Sequence, residues 1–374
     1  MSGPVRLRAL DVFRGATLAA MIVVNNPGGS PTFAPLEHAP WHGWTLTDLI
    51  FPFFLFIVGV ALPYAFAARL EQARGDRRAL YRQVLRRTAI LLALGLFLNW
   101  FPFYTVHWER ARILGVLQRI ALVYALAALA YLRLGSRVRL WLSAGLLAAY
   151  WLAMTLVPVP GFGAGDLSAA GNLAGWVDHA VLGQHVWRYA PGPADPEGLL
   201  STLPAVVTAL AGVATGEWLR SAKSLLEKIL GLLLTGNLLL AAGLAANPLF
   251  PINKNLWTSS YVLFTAGFAL VLLGMALYAV DVRGGGRWTV PFEMLGANSI
   301  AAFFGSTFVA KLLYVIRVPG TDGQSVGLGS WLYTRSFELW LPPYWASLAW
   351  ALLYLLLWLA LMGWLYRRRI FLKV

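Results

Sequence analysis

The chain has no cysteine. Disulfides, thiolate nucleophiles and cysteine-held metals or clusters are therefore excluded. Charge is scarce as well: 12% of the 374 residues are charged, against about a quarter in an average soluble domain. Acidic residues are the scarcer kind, 16 Asp and Glu against 30 Lys and Arg. What fills the space is apolar, with 59% hydrophobic residues. A bilayer core about 30 Å thick takes about 20 apolar residues per helix, and such runs follow one another almost end to end. The reading is an all-α polytopic protein, one domain over residues 1–374, with the lipid bilayer as its first partner.

Ten apolar runs are expected as transmembrane helices, at about 9–25, 46–68, 84–100, 113–132, 138–157, 200–219, 225–246, 258–280, 291–316 and 344–366. The first run holds Asp11 and Arg14 and shows no small-residue cleavage site, so it reads as a retained helix and not a signal peptide. The formal charge of +14 raises nucleic acid as a partner, but the positions of the cations exclude it. They cluster between runs, at Arg69, Arg74, Arg77, Arg78, Arg82, Arg86 and Arg87, at Arg133, Arg137 and Arg139, at Arg220, Lys223 and Lys228, and at Arg367, Arg368, Arg369 and Lys373. Alternation of these clusters with cation-poor connections is the positive-inside pattern. With Arg6 and Arg8 inside, ten spans put both termini in the cytoplasm of a multi-pass inner-membrane protein. The longer connections, 26–45, 101–112, 158–199, 247–257 and 317–343, fall outside and read as irregular loops; residues 281–290 read as a cytoplasmic hinge.

Polar side chains within a bilayer are costly and mark function or helix pairing. They are few: Arg14 and Asn25 in the first run, Asp48 opening the second, Asn99 in the third, Gln118 and Arg119 in the fourth, Asn237 in the seventh, and Glu293, Asn298 and Lys311 in the ninth. Asn99, Gln118 and Asn237 read as interhelical glue, whereas a guanidinium such as Arg14 or Arg119 can also grip a phosphate or carbonyl oxygen. The densest polar segment is Glu37 to Asp48. His38 and His42 have the spacing of a zincin pair, but Pro40 between them breaks such a helix, so no metal is expected. A histidine with a carboxylate nearby suits proton transfer, and either His38 or His42 could serve. Asn253, Lys254 and Asn255 read as a polar wall beside this segment. Trp41, Asp178 and Glu197 add the aromatic and acidic groups that suit a carbohydrate.

The segments Arg6-Leu-Arg-Ala-Leu-Asp11-Val-Phe-Arg14-Gly15, His38-Ala-x-Trp41-x-Gly43-x-Thr45-x-x-Asp48, Arg112-Ile-x-Gly115-Val-Leu-Gln118-Arg119, Pro158-Val-Pro-Gly161, Asp195-Pro-Glu-Gly198, Pro251-x-Asn253-Lys254-Asn255-Leu-Trp257 and Asn298-Ser299 resemble the heparan-α-glucosaminide N-acetyltransferase family. The resemblance runs in order along nearly the whole chain. It implies a transmembrane acyltransferase bundle that carries acetyl from cytoplasmic acetyl-CoA to an amino sugar, glucosamine or a glucosaminide, on the far side. It also implies His38 as the catalytic histidine, with Asp48 and Asn25 around it. Arg14, Arg119, Gln118 and Asn298 would then face the donor, and Asn253, Lys254, Asn255, Trp41, Asp178 and Glu197 the acceptor. Eukaryotic members carry an additional N-terminal helix and luminal region that find no match here, which favours a small amino sugar or envelope glycan as acceptor. A secondary sugar transporter and an O-acetyltransferase of envelope polysaccharide are the rival readings, and a homodimer stays open.

The topology is testable because the chain has no cysteine of its own. Single cysteines at Gly75 and Ser136 should react with impermeant maleimide from the cytoplasm alone, and one at Ala164 from outside alone. External labelling at position 75 inverts the orientation.

Overall fold

A computed structural model of the chain describes residues 7–72, 76–188, 195–320 and 324–372. Arg6, Arg74, Gly75 and Lys373 of the sequence reading lie outside them. In chain order the helices are α1 (Arg8–Asn25), α2 (Leu46–Gln72), α3 (Arg78–Trp100), α4 (Val116–Arg133), α5 (Ser136–Leu156), α6 (Leu173–Leu182), α7 (Thr202–Arg220), α8 (Leu225–Ala246), α9 (Ser259–Leu277), α10 (Val290–Ala297), α11 (Ser299–Val315), α12 (Leu328–Tyr333) and α13 (Pro343–Arg367). Two short antiparallel hairpins, Pro158–Val159 with Gly163–Ala164 and Arg317–Pro319 with Ser325–Gly327, sit in the connections.

Each of the ten apolar runs is helical, and the ninth is broken. Seven helices among the described residues, α2, α4, α5, α7, α8, α9 and α13, are long and apolar enough to cross a membrane, or eight if α10 and α11 count as one span bent by 77°. That number is below ten because α1 carries Arg8, Asp11 and Arg14 and α3 carries Arg78, Arg82, Arg86 and Arg87. The connection 158–199, expected to be irregular, contains α6. The Asn172 side chain caps it by accepting the Gly175 amide at 2.7 Å, satisfying one of the helix's orphan donors. The expected hinge at 281–290 is tied down: Asp281 accepts the amides of Arg8 and Ala9, both at 3.0 Å, and Arg8 pairs with Glu293 at 2.7 Å. Asn237 bonds the Leu233 carbonyl of its own helix and makes no hydrogen bond to another helix among the described residues.

In lipid, helices gain little from hiding apolar surface from one another, so close backbone packing holds them together. At the α2–α7 crossing a Cβ on Gly59 would sit 1.9 Å from the Ala209 carbonyl oxygen, and one on Gly212 would sit 2.0 Å from that of Phe56. This pair presses α2 into the middle of the bundle, where α1, α4 and α9 also pack on it. The surfaces of α5 and α8 stay largely uncovered by the described residues.

Replacing Gly59 or Gly212 by valine forces the two backbones apart. Overpacking of this kind costs about 1–3 kcal/mol or more, and either variant should lower the detergent-solubilised melting temperature by several degrees. Gly135→Ala, whose Cβ meets no atom within 4 Å, is the control. Equal melting of all three removes the close crossing as a determinant of stability.

Candidate functional site

The site grows from the start of α2. Asp48 lies in the first helical turn, where a carboxylate is favoured by the helix dipole, and it is buried to 1% exposure. Its Oδ2 accepts the Ala39 and Thr45 amides, each at 3.0 Å. Its Oδ1 lies 2.6 Å from His38 Nδ1. A carboxylate accepts, so Nδ1 donates, and in the neutral imidazole the lone pair is then on Nε2. The His38 side chain is half exposed, at 51%. It borders a cavity of about 230 Å³ together with Val23, Val24, Phe33 and Tyr344. At Nε2 stands Lys254, with Nζ 3.3 Å away.

His42 is arranged differently. Its Nδ1 lies 3.3 Å from Asn253 Nδ2, whose amide hydrogen it accepts, and burial lowers its pKa below the usual histidine value. Asn253 is itself buried and uses Oδ1 to accept the Leu256 amide at 2.9 Å. It thereby fixes the turn that presents Lys254. Burial pushes the Lys254 ammonium below the usual lysine range, with Glu197 and Asp48 opposing and Arg119 and Arg112 adding. Trp41 donates its indole N–H to the Leu167 carbonyl at 2.8 Å.

A second polar layer packs beside the first. Arg112 grips Asp195 through Nε at 3.0 Å and Nη2 at 2.5 Å, reaches Glu197 at 2.5 Å, and lies over the Trp187 ring. Arg119 is fully buried and donates to the Gly198 carbonyl at 2.9 Å and to Ser201, with its guanidinium 5.1 Å over the Trp257 ring. Its Nε and Nη1 have no hydrogen-bond partner among the described residues. Sequence reasoning did not single out Arg112 as a site residue; its carboxylate partners are 83 and 85 residues away, and no local pattern pairs it with them. Asp178 accepts the Leu199 amide at 2.7 Å. Burial pushes its carboxyl up to about 7, with Asp195 adding and the Leu199 amide and Arg119 opposing.

The remaining candidates lie elsewhere. Arg14 pairs with Asp11 at 3.3 Å and borders a cavity of about 280 Å³ with Arg87, Gly296 and Ser299. Asn25 borders another, of about 560 Å³, with Asn26, Thr307 and Lys311. Gln118 is buried and braces the Ile113 carbonyl at 2.9 Å. Asn298 sits at the α10–α11 break and holds the C-terminal segment through the Ile370 carbonyl at 3.0 Å and the Leu372 amide at 2.8 Å. Asn255 lies half-buried in the Lys254 turn. The structure thus brings His38, Asp48 and Lys254 together, with Asn253 and Asn255 in the same turn and Arg119, Asp178 and Glu197 in the layer beside it, and sets Arg14, Asn25, Gln118 and Asn298 apart. Among the described residues no group of three or more His, Asp or Glu could hold a metal ion.

The family model described as heparan-α-glucosaminide N-acetyltransferase, catalytic, matches residues 6–229. The heparan-α-glucosaminide N-acetyltransferase of Mus musculus is 31% identical over 356 residues, covering 80% of this chain and 53% of its own length. That of Homo sapiens is 31% identical over 358 residues, covering 81% and 53%. The chain spans about half the length of these curated relatives.

The Asp178 carboxyl gives a pH test. Its folded value of about 7 lies above that of an unfolded aspartate, near 3.9, so the folded state binds the extra proton. Its contribution to stability is lost as pH rises from about 4 to about 7. Asp178→Asn keeps an acceptor for Leu199 and should flatten this part of the melting-temperature profile between pH 5 and pH 8. An unchanged profile in the variant assigns the dependence to another group.

Proposed function

The chain belongs to the heparan-α-glucosaminide N-acetyltransferase family, and we propose that it transfers acetyl from acetyl-CoA to the amine of an amino sugar. One observation carries this reading: Asp48 holds His38 in the tautomer that leaves Nε2 as the base, at the edge of a cavity. A general base so placed contributes about 10²–10⁴-fold. It removes the proton that the acceptor nitrogen sheds on attacking the thioester.

The donor is large and anionic, and the bundle offers it a route. The Arg14–Arg87 cavity and the Asn25–Lys311 cavity are both bordered by Met21 and Phe303, which stand between them. The opening turn of α11 borders the first, and a helix N-terminus together with two guanidinium groups favours phosphate. We place the nucleotide there, on the cytoplasmic side, and the acetyl end toward Asn25 and His38. Both termini are then cytoplasmic, and the acceptor, glucosamine or a glucosaminide, approaches from the opposite face of the inner membrane. The broken α10–α11 pair also resembles the discontinuous helices of secondary transporters, which keeps sugar transport as the rival.

Purified protein incubated with labelled acetyl-CoA and glucosamine decides between them. Label should pass to the sugar; His38→Ala should reduce transfer at least about 10²-fold, His42→Asn should stay active, and Asp48→Asn should fall between. Glucosamine flux into liposomes without release of free CoA supports transport. Full activity of His38→Ala with unchanged melting sinks the mechanism.

A further inference from the structure

The base proposed above has a cation at its working nitrogen. His38 Nε2, the nitrogen with the lone pair, faces Lys254 Nζ at 3.3 Å. An acyl carbon or acceptor amine that approaches Nε2 along the direction of that contact displaces the ammonium. The lysine stem is long and flexible enough to swing aside, but its root is not free to leave. Asn253 is buried, its amide donates to Thr258 Oγ1 at 3.1 Å and its side chain accepts the Leu256 amide at 2.9 Å. Trp257 is fully buried between Arg119 and Tyr261. A displaced Nζ therefore remains beside whatever replaces it.

We propose that Lys254 is a catalytic residue, whose ammonium binds the acetyl carbonyl oxygen as negative charge develops on it. The proposal rests on the transfer reading above. With the acceptor nitrogen about 2.6–3.2 Å from Nε2 and the thioester carbon about 3–3.5 Å from that nitrogen, the carbonyl oxygen, about 1.2 Å from the carbon, falls within the swing of the lysine stem. An ammonium that now lies 3.3 Å from Nε2 and is displaced by the acceptor can swing to that oxygen, to the roughly 2.7–3.1 Å such donors need. The other donors are less well placed. Arg119 is committed in part to Gly198 and Ser201 behind Trp257, and Asn25 borders a different cavity from His38.

The step balances with the groups on hand. The acceptor nitrogen attacks the thioester carbon, a C–N bond forms, and the C=O electron pair moves onto oxygen, against Lys254. The proton shed by nitrogen passes to His38 Nε2. The oxygen pair returns, the C–S bond breaks, and the proton passes from the imidazolium to the departing sulfur. Lys254 keeps its proton throughout. Asp48 faces the imidazolium directly, and Glu197 draws on the lysine, so carboxylates balance the two cations that coexist midway.

The test compares Lys254→Met, Lys254→Gln and Lys254→Arg with His38→Ala in the acetyl-transfer assay, with acetyl-CoA affinity and melting measured in parallel. Loss of one such donor costs about 10²–10³ in kcat, so Met and Gln should show that loss while acetyl-CoA affinity stays within about twofold of the parent. Arginine should restore part of the rate. The Lys254→Met and His38→Ala double variant should be little worse than His38→Ala, since groups acting in one step are not additive. A nearly unimpaired Lys254→Met beside an inactive His38→Ala overturns the lysine's role and leaves the transfer mechanism intact. Activity in His38→Ala overturns the mechanism itself. A rate lost only in step with melting and donor affinity, with no rescue by arginine, also overturns the role and makes Lys254 a structural support.

Discussion

A buried carboxylate must be answered by donors, and the Asp48 side chain organises the site because three groups converge to answer it. The amides of Ala39 and Thr45 and the imidazole N–H of His38 come from both ends of the connecting segment. One acceptor therefore starts α2, folds the 38–45 segment back onto that start and sets the histidine tautomer. Leaving any of these bonds unmade strands part of a desolvated carboxylate, at a cost of about 1–3 kcal/mol or more. The backbone carbonyl of the same residue accepts the Tyr261 hydroxyl, and Tyr261 stacks edge-on against Trp257, which lies under Arg119. The two polar layers are thus linked through ring contacts and a single backbone oxygen.

The second layer is held by the same rule. Arg112 meets both Asp195 and Glu197, and the loop they anchor supplies the Gly198 carbonyl to Arg119. Arg112 cannot be replaced by lysine without loss, because its forked guanidinium spans both Asp195 oxygens at once. Gly198 is required here for a steric reason: a Cβ on it would meet the Asp178 carboxylate at 1.9 Å.

The helices were legible because length and apolarity alone decide them in a bilayer. Their interruption was not. Pro291 stands at the start of α10, far from the bend, and the break at Asn298 follows from its side chain bonding Ile370 and Leu372, 72 and 74 residues on. The short α6 was hidden in a loop rich in Gly, Pro and Trp, with Asn172 as its one local signal. Within the site, the His38–Asp48 pairing was within reach of sequence because ten residues separate them. The choice between His38 and His42 needed the resemblance, since both share one segment. The Lys254 contact spans 216 residues. A polar turn bracketed by prolines says that a lysine is present and nothing about which nitrogen it faces.

Cations inside a bilayer are the remaining constraint, and each one near the cavities is compensated in its own way. Lys311 donates to the Leu98 carbonyl at 2.5 Å, using an acceptor that the end of α3 leaves without a helical partner. Arg14 has Asp11 and the Gly296 carbonyl. Arg87 lies 4.6 Å over the Tyr124 ring, and its buried Nε has no hydrogen-bond partner among the described residues. A ring face stabilises a guanidinium but leaves its N–H donors unmade, and a charge-assisted hydrogen bond to phosphate adds about 1.5–3 kcal/mol. Of these three cations, Arg87 therefore gains most when an anion enters its cavity. In the proposed transfer this ties donor binding to the stability of the α1–α3–α11 wall: the cost of keeping an under-satisfied guanidinium in the empty protein returns as affinity for the nucleotide end of the donor.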